Sequence, residues 1–547
     1  MKSFRLISHN PVVLLLALLI STVLLHGCAR EPRTPNTLRI SGPDPSTLDP
    51  AKAYDTTSIN FVRVLYRGLV DYGEGAEIVP AVAQKYSISP DGKTYSFKLR
   101  PDVYFHSGRR VVAEDFRFAM ERVLDPATAS DGLSFYQAIE GAEEFGKARE
   151  AASKKPPAKQ SPLHVRGIEV RGEDEIIFHL TEPDITFLNV LTLPFAYAVP
   201  REAVAKGSDY FKDNPDGCGP YMLEDWRHDA WLKLKKNPRY YDPSLPKAER
   251  IDMRIGGDDT LQLMRFEIGD VDVFSLTDTN SPDFLRLQRD PQWKNQIEHA
   301  PMMDVRYVCM NTEKKPFNNV LVRRAVSYAI NRQRIAAFRA GRATLARGPL
   351  PPGMPAYNPQ LQQYSYDPQK ARALLKQAGY PNGFKVDIWF ATTEEWYGKA
   401  AQSIQQDLKQ IGITVNPKKV TYSELKTKAG KRGNIELSMM GWLQDFPDPS
   451  NFLVPLFSEK SITPTSSLNR AFYSNPQVNK LLNAAQTELN GAKRMAMYRQ
   501  AEKIIVQDAP LVFLHHTERY VVHQPWVRGF RLHPMWSARY EYVSVEK

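Results

Sequence analysis

Alternating apolar and polar positions predict β-structure in the first third of the chain. Tyr95, Phe97 and Leu99 alternate with polar residues directly after the turn-forming run at 90–92, which indicates a strand that follows a tight turn. A second alternation lies on both sides of Gly172-Glu173-Asp174 and predicts a β-hairpin. Its apolar positions are Ile168, Val170, Ile176, Phe178 and Leu180.

Helical spacing is clearest in the second half of the chain. Asn318-Asn319 predict the capped start of one helix from about Val320 to Ala340, followed by Gly341. Asp367-Pro368 has the form of an N-cap with proline in the first turn. Apolar residues recur at helical spacing after it, so we expect a second helix there.

Strands and helices alternate between about residues 384 and 440. Every second residue from Phe384 to Phe390 is apolar and predicts a strand. A helical pattern up to Gly412 and another strand pattern to about Met440 follow. Helices between strands of this length are typical of an α/β lobe whose strands pair mainly in parallel.

The N-terminus has the pattern of an export signal. Basic residues are followed by a stretch from Pro11 to Leu25 that is apolar except for two hydroxyl residues, which is too short to span a bilayer comfortably. The stretch leads to a small residue before Cys28, which resembles the bacterial lipobox. We expect a lipoprotein signal peptide over residues 1–27, lipidation of Cys28 and a tether over residues 28–37. A plain signal peptide with a chance cysteine and an uncleaved anchor are the alternatives.

The charge of the chain does not indicate a nucleic-acid partner. The formal net charge is +11, but the basic residues are scattered among 61 acidic ones. The one dense lysine cluster, within residues 154–159, lies among prolines in a predicted solvated loop. An exported protein also rarely meets nucleic acid, so we expect no such partner. Cys218 and Cys309 can pair in an oxidising compartment, although we expect two buried free thiols.

Motifs for catalysis are weak. The sequence contains neither GxSxG nor HExxH, and His515-His516 would point to opposite faces of a strand. GAEEFGK at 141–147 has the letters of a phosphate-binding loop but lacks the following Ser or Thr, and we interpret it as a chance match. Asp445 and Asp448 form a candidate carboxylate pair. We expect no catalytic residue, no metal and no cofactor, with an exported hydrolase kept as an alternative.

Short runs in a fixed order cover the chain after the predicted signal. The most recognisable is SPDGKTYSFKLR at 89–100. The others are TLDP at 47–50, VLYRGL at 64–69, VPAVA at 79–83, CGPY at 218–221, VRRA at 322–325, YDPQKA at 366–371 and Gly441-Trp442. As an ordered set they resemble solute-binding family 5, the peptide and nickel binding proteins of ABC importers.

The resemblance implies an α/β, two-lobed periplasmic-binding-protein type II fold with an extra inserted domain. The lobes of such a fold close on the ligand by hinge bending. Domain I is expected to be discontinuous, over residues 38–84, 196–300 and 506–547. Domain II is expected at 85–195 and domain III at 301–505.

The resemblance also indicates which segments line the ligand cleft. Peptide binders of this group pair an extended ligand backbone with main-chain groups of the protein. Residues 53–57 match the domain I stretch that lines the cleft, and residues 441–445 match the facing stretch in domain III. The candidate ligand-binding residues are Tyr54, Asp55, Thr56, Gly441, Trp442 and Asp445.

Asp445 is the most specific of these candidates. It matches the acid that holds the α-ammonium group of the ligand, and a buried ammonium needs a paired anion. The alternative is that Asp445 only caps the turn before Pro447. Trp442 is either an apolar wall of the cleft or part of the core.

One segment departs from the dipeptide binders of the family. They hold the ligand carboxylate with an arginine after the strand that here ends near Phe390, but this chain has ATTEE at 391–395. The ligand is then a longer peptide whose C-terminus sits elsewhere, or a cationic or carboxylate-free compound that faces Glu394 or Glu395. Exposure of these glutamates at a helix N-terminus is the alternative.

Together these features predict the extracytoplasmic component of an ABC peptide importer, which binds oligopeptides and delivers them to a permease and ATPase complex. We expect a monomer anchored to the membrane through Cys28. The alternatives are a family member that binds a non-peptide or cationic ligand such as a sugar, metal chelate, haem or polyamine, a receptor that reports a signal peptide, and an exported hydrolase.

Overall fold

The structure is a computed structural model that describes residues 34–153, 164–391 and 395–547. Several sequence expectations lie outside these ranges: the signal peptide at 1–27, the lipidation site Cys28, the lysine cluster at 154–159 and the candidate ligand residue Glu394. Within the described ranges, none of the helices combines the length and the apolar character needed to cross a membrane.

The strands follow one another from residue 37 to residue 545. They are β1 (Thr37–Gly42), β2 (Val70–Tyr72), β3 (Ile78–Pro80), β4 (Ala83–Ile88), β5 (Thr94–Leu99), β6 (Ile168–Arg171), β7 (Glu175–His179), β8 (Tyr221–Arg227), β9 (Trp231–Lys236), β10 (Arg250–Ile255), β11 (Val273–Ser275), β12 (Ile297–Pro301), β13 (Asp304–Met310), β14 (Ala343–Leu345), β15 (Lys385–Ala391), β16 (Thr414–Val420), β17 (Leu437–Leu443), β18 (Leu511–His523), β19 (Val527–Arg528) and β20 (Ser544–Val545).

The helices lie between these strands. They are α1 (Thr56–Leu65), α2 (Ala113–Leu124), α3 (Ala142–Ser153), α4 (Phe187–Val190), α5 (Arg201–Val204), α6 (Ser208–Phe211), α7 (Asp259–Glu267), α8 (Ser281–Arg289), α9 (Val320–Ala329), α10 (Arg332–Ala337), α11 (Pro368–Gln377), α12 (Glu395–Lys409), α13 (Tyr422–Gly430), α14 (Ser450–Phe457), α15 (Pro476–Thr487) and α16 (Gly491–Asp508).

Three larger sheets organise the fold. One has the order β1-β10-β9-β8, and β1 reaches it from the N-terminal segment by pairing in parallel with β10. Another has the order β4-β5-β7-β6, and its β6–β7 pair is the predicted hairpin. The largest has the order β11-β18-β13-β17-β15-β16, with β12 and β14 also on β18.

Strand β18 connects two regions of the largest sheet. Its first residues pair with β13, and its second half pairs with β12 and β11. A single continuous strand of 13 residues therefore ties the segment before residue 301 to the segment after it. The expected division at 301 and 506 stays a prediction, as do the other domain limits.

One expectation about the second half needs correction, and another is confirmed in part. The single helix expected from Val320 to Ala340 is two helices, α9 and α10, because the side chain of Asn331 accepts a hydrogen bond from the backbone N–H of Arg334 and caps a new helix. Mainly parallel pairing is confirmed for the strands on which the prediction rested, because β15 pairs in parallel with β16 and with β17. It does not extend to the rest of this sheet, where β13 pairs antiparallel with both of its neighbours.

Other local predictions are confirmed. Asp367 caps α11 through the N–H of Lys370, with Pro368 in the first turn. Residues 142–147 belong to helix α3 rather than to a phosphate-binding loop. Cys218 and Cys309 are buried free thiols.

Candidate functional site

A cavity of about 900 Å³ lies where the end of β17 faces the start of α1. This volume is near the upper end of the range for small-molecule sites, about 300–1,000 Å³. Further walls come from the end of β12, from the start of α13 and from residues 533–537. The predicted residues that line the cavity are Tyr54, Asp55, Thr56, Gly441, Trp442 and Asp445.

The strand that carries Gly441 has one partly open edge. Strand β17 pairs with β13 along its whole length, from Leu437 to Leu443. On its other side, within the described residues, β15 pairs only with Leu437 and Ser438. The backbone after Ser438 therefore has N–H and C=O groups that an extended chain in the cavity can pair with, which is the geometry of strand addition.

Asp445 lies just beyond this edge and is half-buried. Its Oδ2 accepts a hydrogen bond from Nδ2 of Asn451 at 2.9 Å, and its Oδ1 accepts one from the hydroxyl of Tyr54 at 3.1 Å. Its own backbone N–H donates to Oδ1 of Asn451 at 2.7 Å. Among the described residues no cationic nitrogen lies within 4.0 Å of the carboxylate. Burial raises the pKa of Asp445 to about 6, while the hydrogen bonds from Asn451 and Tyr54 oppose the rise.

This arrangement leaves a carboxylate that is oriented but not neutralised. Neutral donors fix its position, yet they supply no positive charge. A cationic group that enters the cavity would gain a charge-assisted hydrogen bond with this carboxylate. The carboxylate is already partly desolvated in the ligand-free protein, so binding adds little further desolvation cost on its side.

The N-terminal wall combines one contact to Asp445 with one helix cap. Tyr54 is 40% exposed, and its ring packs against Phe195 at 5.7 Å between centroids. Asp55 is the N-cap of α1, where its carboxylate accepts from the N–H of Ser58 and from the hydroxyl of Ser46. Thr56 is the first residue of α1 and is exposed to the cavity. Of the three, Tyr54 is the one with a hydrogen bond to the carboxylate of Asp445.

Gly441 and Trp442 are partly committed to packing. A Cβ atom on Gly441 would lie 2.9 Å from Cδ of Arg306 and 3.3 Å from the carbonyl oxygen of Val305, so a larger residue there would displace the side chain of Arg306. Trp442 packs partly against the core that includes Leu453 and Phe513. Its indole nitrogen is buried without a hydrogen-bond partner among the described residues.

Asp448, the other acid of the candidate carboxylate pair, is part of the buried core. Asp448 is buried and forms two hydrogen bonds of 2.7 Å with the guanidinium of Arg494. The N–H and hydroxyl of Ser450 also donate to it. Asp445 and Asp448 therefore do not form a catalytic pair, because one faces the cavity and the other is neutralised inside the fold.

Sequence reasoning missed two cavity arginines. Arg519 lies on β18 opposite Ala300 of β12, and Arg470 lies next to Met440 of β17. Neither belongs to a recognisable motif. They come together only because β18 and the segment before Phe472 reach the same cavity, which a single sequence does not reveal.

The chain is similar to known proteins over most of its length. The profile of the bacterial extracellular solute-binding proteins, family 5, middle region, matches residues 77–464. Heme-binding protein A of Haemophilus influenzae is 30% identical over 92% of this chain and 91% of its own length. Glutathione-binding protein GsiB of Escherichia coli is 30% identical over 97% of this chain and 98% of its own length.

A solved structure has the same fold over almost the whole chain. The periplasmic binding protein DppA of Helicobacter pylori, determined in complex with the peptide STSA, has a TM-score of 0.77 and 30% identity. The similarity covers 94% of this chain and 99% of DppA.

These findings define a two-lobed periplasmic binding protein with a type II fold, as the sequence predicted. The chain belongs to family 5 of the bacterial extracellular solute-binding proteins, which serve ABC importers. It is therefore a binding protein and not an enzyme, and the hydrolase alternative is set aside.

Proposed function

We propose that this protein binds oligopeptides in the cavity at Asp445 and delivers them to the permease and ATPase of an ABC importer. In this proposal it acts as a monomer outside the cytoplasm and is held at the membrane by a lipid on Cys28. Asp445 anchors the α-ammonium group of the peptide, and the open edge of β17 pairs with its backbone.

The observation that carries the proposal is the open edge of β17 beside the carboxylate of Asp445, which has no cationic partner among the described residues. The edge offers main-chain groups, which bind a peptide backbone regardless of its side chains. The carboxylate offers a partner to the one positive charge that every unblocked peptide has at its N-terminus. A sugar would use neither feature fully.

The relatives support a peptide-like ligand. The Helicobacter pylori protein is in complex with a four-residue peptide, and GsiB is named for glutathione, a tripeptide. The sequence ATTEE at 391–395 offers no arginine for a C-terminal carboxylate. A peptide whose C-terminus reaches another part of the cavity is consistent with that departure.

The first test is what co-purifies with the full-length protein. Native mass spectrometry is expected to show a spread of masses that denaturation releases as peptides. A co-purified peptide is then titrated in calorimetry against wild-type protein and Asp445→Ala. We expect the substitution to weaken binding by about 2–5 kcal/mol, as for a lost buried charge pair.

Asp131→Ala is the matched control. Asp131 lines the same cavity but is exposed, so its loss is expected to change the binding free energy by less than about 1 kcal/mol. Equal affinity of wild type and Asp445→Ala would refute the anchor role of Asp445.

A haem ligand is the second candidate, because Heme-binding protein A is 30% identical over 92% of this chain. Titration of haem into the purified protein distinguishes the two. Haem binding should shift the main haem absorption band with a saturable midpoint and compete with the peptide. A spectrum that changes only in proportion to free haem rules this candidate out.

A further inference from the structure

The cavity contains guanidinium groups that have no carboxylate partner in the described parts of the chain. Its lining includes the cations Lys52, Lys426, Arg470 and Arg519 and the carboxylates Asp55, Asp131 and Asp445. The two arginines differ from the two lysines, because they are half-buried at the wall, whereas Lys426 is exposed and Lys52 donates to the hydroxyl of Ser208.

Arg519 has little compensation for its charge. Within the described residues, its guanidinium donates one hydrogen bond, from Nη1 to the carbonyl of Trp536 at 3.3 Å, and has no carboxylate within 4.0 Å. Asp304 is the leading negative charge acting on it, but the carboxylate of Asp304 is already bound by Arg306 and Thr517. Burial lowers the pKa of Arg519, as expected for a cation with lost hydration and no anion.

Arg470 has the same deficit on another wall. Its Nη1 contacts the sulfur of Met440 at 3.6 Å, and its Nε is buried without a partner among the described residues. A thioether is a weak acceptor. No carboxylate of the described chain lies within 4.0 Å of this guanidinium either.

Partly buried charges without partners are costly, so proteins keep them where a ligand supplies the partner. A guanidinium presents a planar fork of donors that matches a carboxylate. We infer that Arg519 and Arg470 each offer a binding position for a carboxylate of the ligand, together called the carboxylate subsite, and that the ligand is a zwitterion with a free α-ammonium group and at least one free carboxylate.

This inference rests on the proposed peptide function and restricts the class of ligand to those with a free carboxylate. The dipeptide-type arginine is missing after β15, and Arg519 and Arg470 take over the role from different elements. Cationic and carboxylate-free ligands are then excluded, although the sequence at 391–395 had left them open.

The test compares tetra-alanine with its C-terminal amide, using the full-length protein in calorimetry. Wild type should bind the free acid at least about 30-fold more tightly than the amide, the loss typical of an unpaired buried charge. Arg519→Met and Arg470→Met should each weaken the acid and leave the amide nearly unchanged. Lys426→Met is the control: it removes one positive charge from the same cavity and should weaken both peptides by less than about threefold.

Thermal unfolding without ligand separates a binding role from a structural one. Because neither arginine has an anionic partner among the residues that the structure describes, Arg519→Met and Arg470→Met should leave the unfolding temperature of the ligand-free protein unchanged or raise it. Arg519→Lys keeps the charge without the fork and should recover part of the preference for the acid. A large fall in unfolding temperature for both methionine variants would assign the arginines to the fold and overturn the inference.

A third arm uses glutarate, which has carboxylates but no ammonium group. It should raise the unfolding temperature of wild type and not that of the Arg519→Met, Arg470→Met double variant, even if neither peptide binds. Tight binding of both tetra-alanine forms without preference would refute the carboxylate subsite while peptide binding stands. Stabilisation by glutarate without peptide binding would refute the proposed peptide function and support the carboxylate subsite. If glutarate does not stabilise the protein and neither peptide binds, the peptide function and the carboxylate subsite are both refuted.

Discussion

Asp445 and Asp448 lie three residues apart in one short run, yet their surroundings are opposite. Asp448 is buried against Arg494 with two hydrogen bonds of 2.7 Å and further donors from Ser450. Within the described part of the chain, Asp445 has only the neutral donors Asn451 and Tyr54, and it faces the cavity. The carboxylate of Asp448 is neutralised within the fold, and we propose that the carboxylate of Asp445 binds a cationic group of the ligand.

The difference separates two uses of a partly desolvated charge. A buried ion pair costs desolvation that the attraction offsets only with both partners present. Asp448 meets that condition inside the chain, so its removal should harm folding. In the proposed function Asp445 meets it only when a ligand is bound, so its removal should weaken binding and stabilise the ligand-free fold. By the same reasoning we expect Arg494 to contribute to folding stability and Arg519 to contribute to ligand binding.

The largest expected effect is on the folding side of the comparison. Asp448→Ala leaves the guanidinium of Arg494 buried without a counter-charge, and we expect a loss of about 3–5 kcal/mol in the free energy of unfolding. Urea denaturation followed by circular dichroism measures it. The double variant with Arg494→Met should recover much of the loss, and a stability equal to wild type for Asp448→Ala alone would contradict the assigned role.

Asp445→Asn should move stability in the other direction. The folded protein holds the proton of Asp445 more tightly than the unfolded chain, because burial raises its pKa from 3.8 to about 6. The ionised form therefore costs stability above pH 6, and this cost disappears as the pH falls. Asparagine keeps hydrogen-bonding groups for Asn451 and Tyr54, so at pH 7.5 we expect a gain of about 1–3 kcal/mol in the ligand-free protein.

The control for that gain is the same substitution at pH 4.5. There the folded carboxyl is largely protonated, while the unfolded one, with its pKa of 3.8, is still mostly ionised. The gain should therefore fall to about one third of its value at pH 7.5. A gain of the same size at both pH values would mean that the charge of Asp445 is not its cause.

Peptide affinity should fall in acid for the same reason. Binding of an α-ammonium group needs the ionised carboxylate, of which about one tenth is present at pH 5 when the pKa is about 6. We expect Kd to rise about tenfold, or ~1.4 kcal/mol, between pH 7.5 and pH 5 in calorimetry. Asp445→Asn should bind weakly with a flat profile. A profile that keeps its slope in this variant would point to another group, such as His533 at the cavity wall.

The sequence predicted local elements better than their connections. Caps such as Asp367 and the hairpin turn at Gly172 act over a few residues, so they are visible in the chain itself. The break at Asn331 was missed because the apolar period continues across it, and only a side-chain cap divides the helix. The antiparallel position of β13 depends on pairing between distant segments, which periodicity does not encode.

The site was predictable to the extent that family motifs mark it. Gly441, Trp442 and Asp445 form one contiguous run, and residues 54–56 form another, and both line the cavity. Their roles in binding stay predictions. Arg519 sits in a long strand without a motif, so its missing counter-charge becomes visible only when its surroundings in three dimensions are known.

The smallest expected effect tests the contact between the two walls of the cavity. The hydroxyl of Tyr54 donates to Oδ1 of Asp445 at 3.1 Å and so favours the ionised form. Tyr54→Phe keeps the ring against Phe195 and removes this donor, so the pKa of Asp445 should rise. The acidic midpoint of the binding profile should then move upward by about half a pH unit, or ~0.7 kcal/mol.

The matched control for Tyr54→Phe is Tyr422→Phe. Tyr422 also lines the cavity and is 46% exposed, but no hydrogen bond joins it to Asp445 within the described residues. Its midpoint should stay at the wild-type pH. If Tyr54→Phe leaves the midpoint unchanged as well, the hydroxyl does not hold the charge of Asp445, and Asn451 alone positions the carboxylate. If the midpoint moves only in Tyr54→Phe, the hydroxyl of Tyr54 is a neutral donor that keeps Asp445 ionised in the ligand-free protein. In the proposed function the ligand then supplies the cationic partner of Asp445, as Arg494 does for Asp448 within the fold.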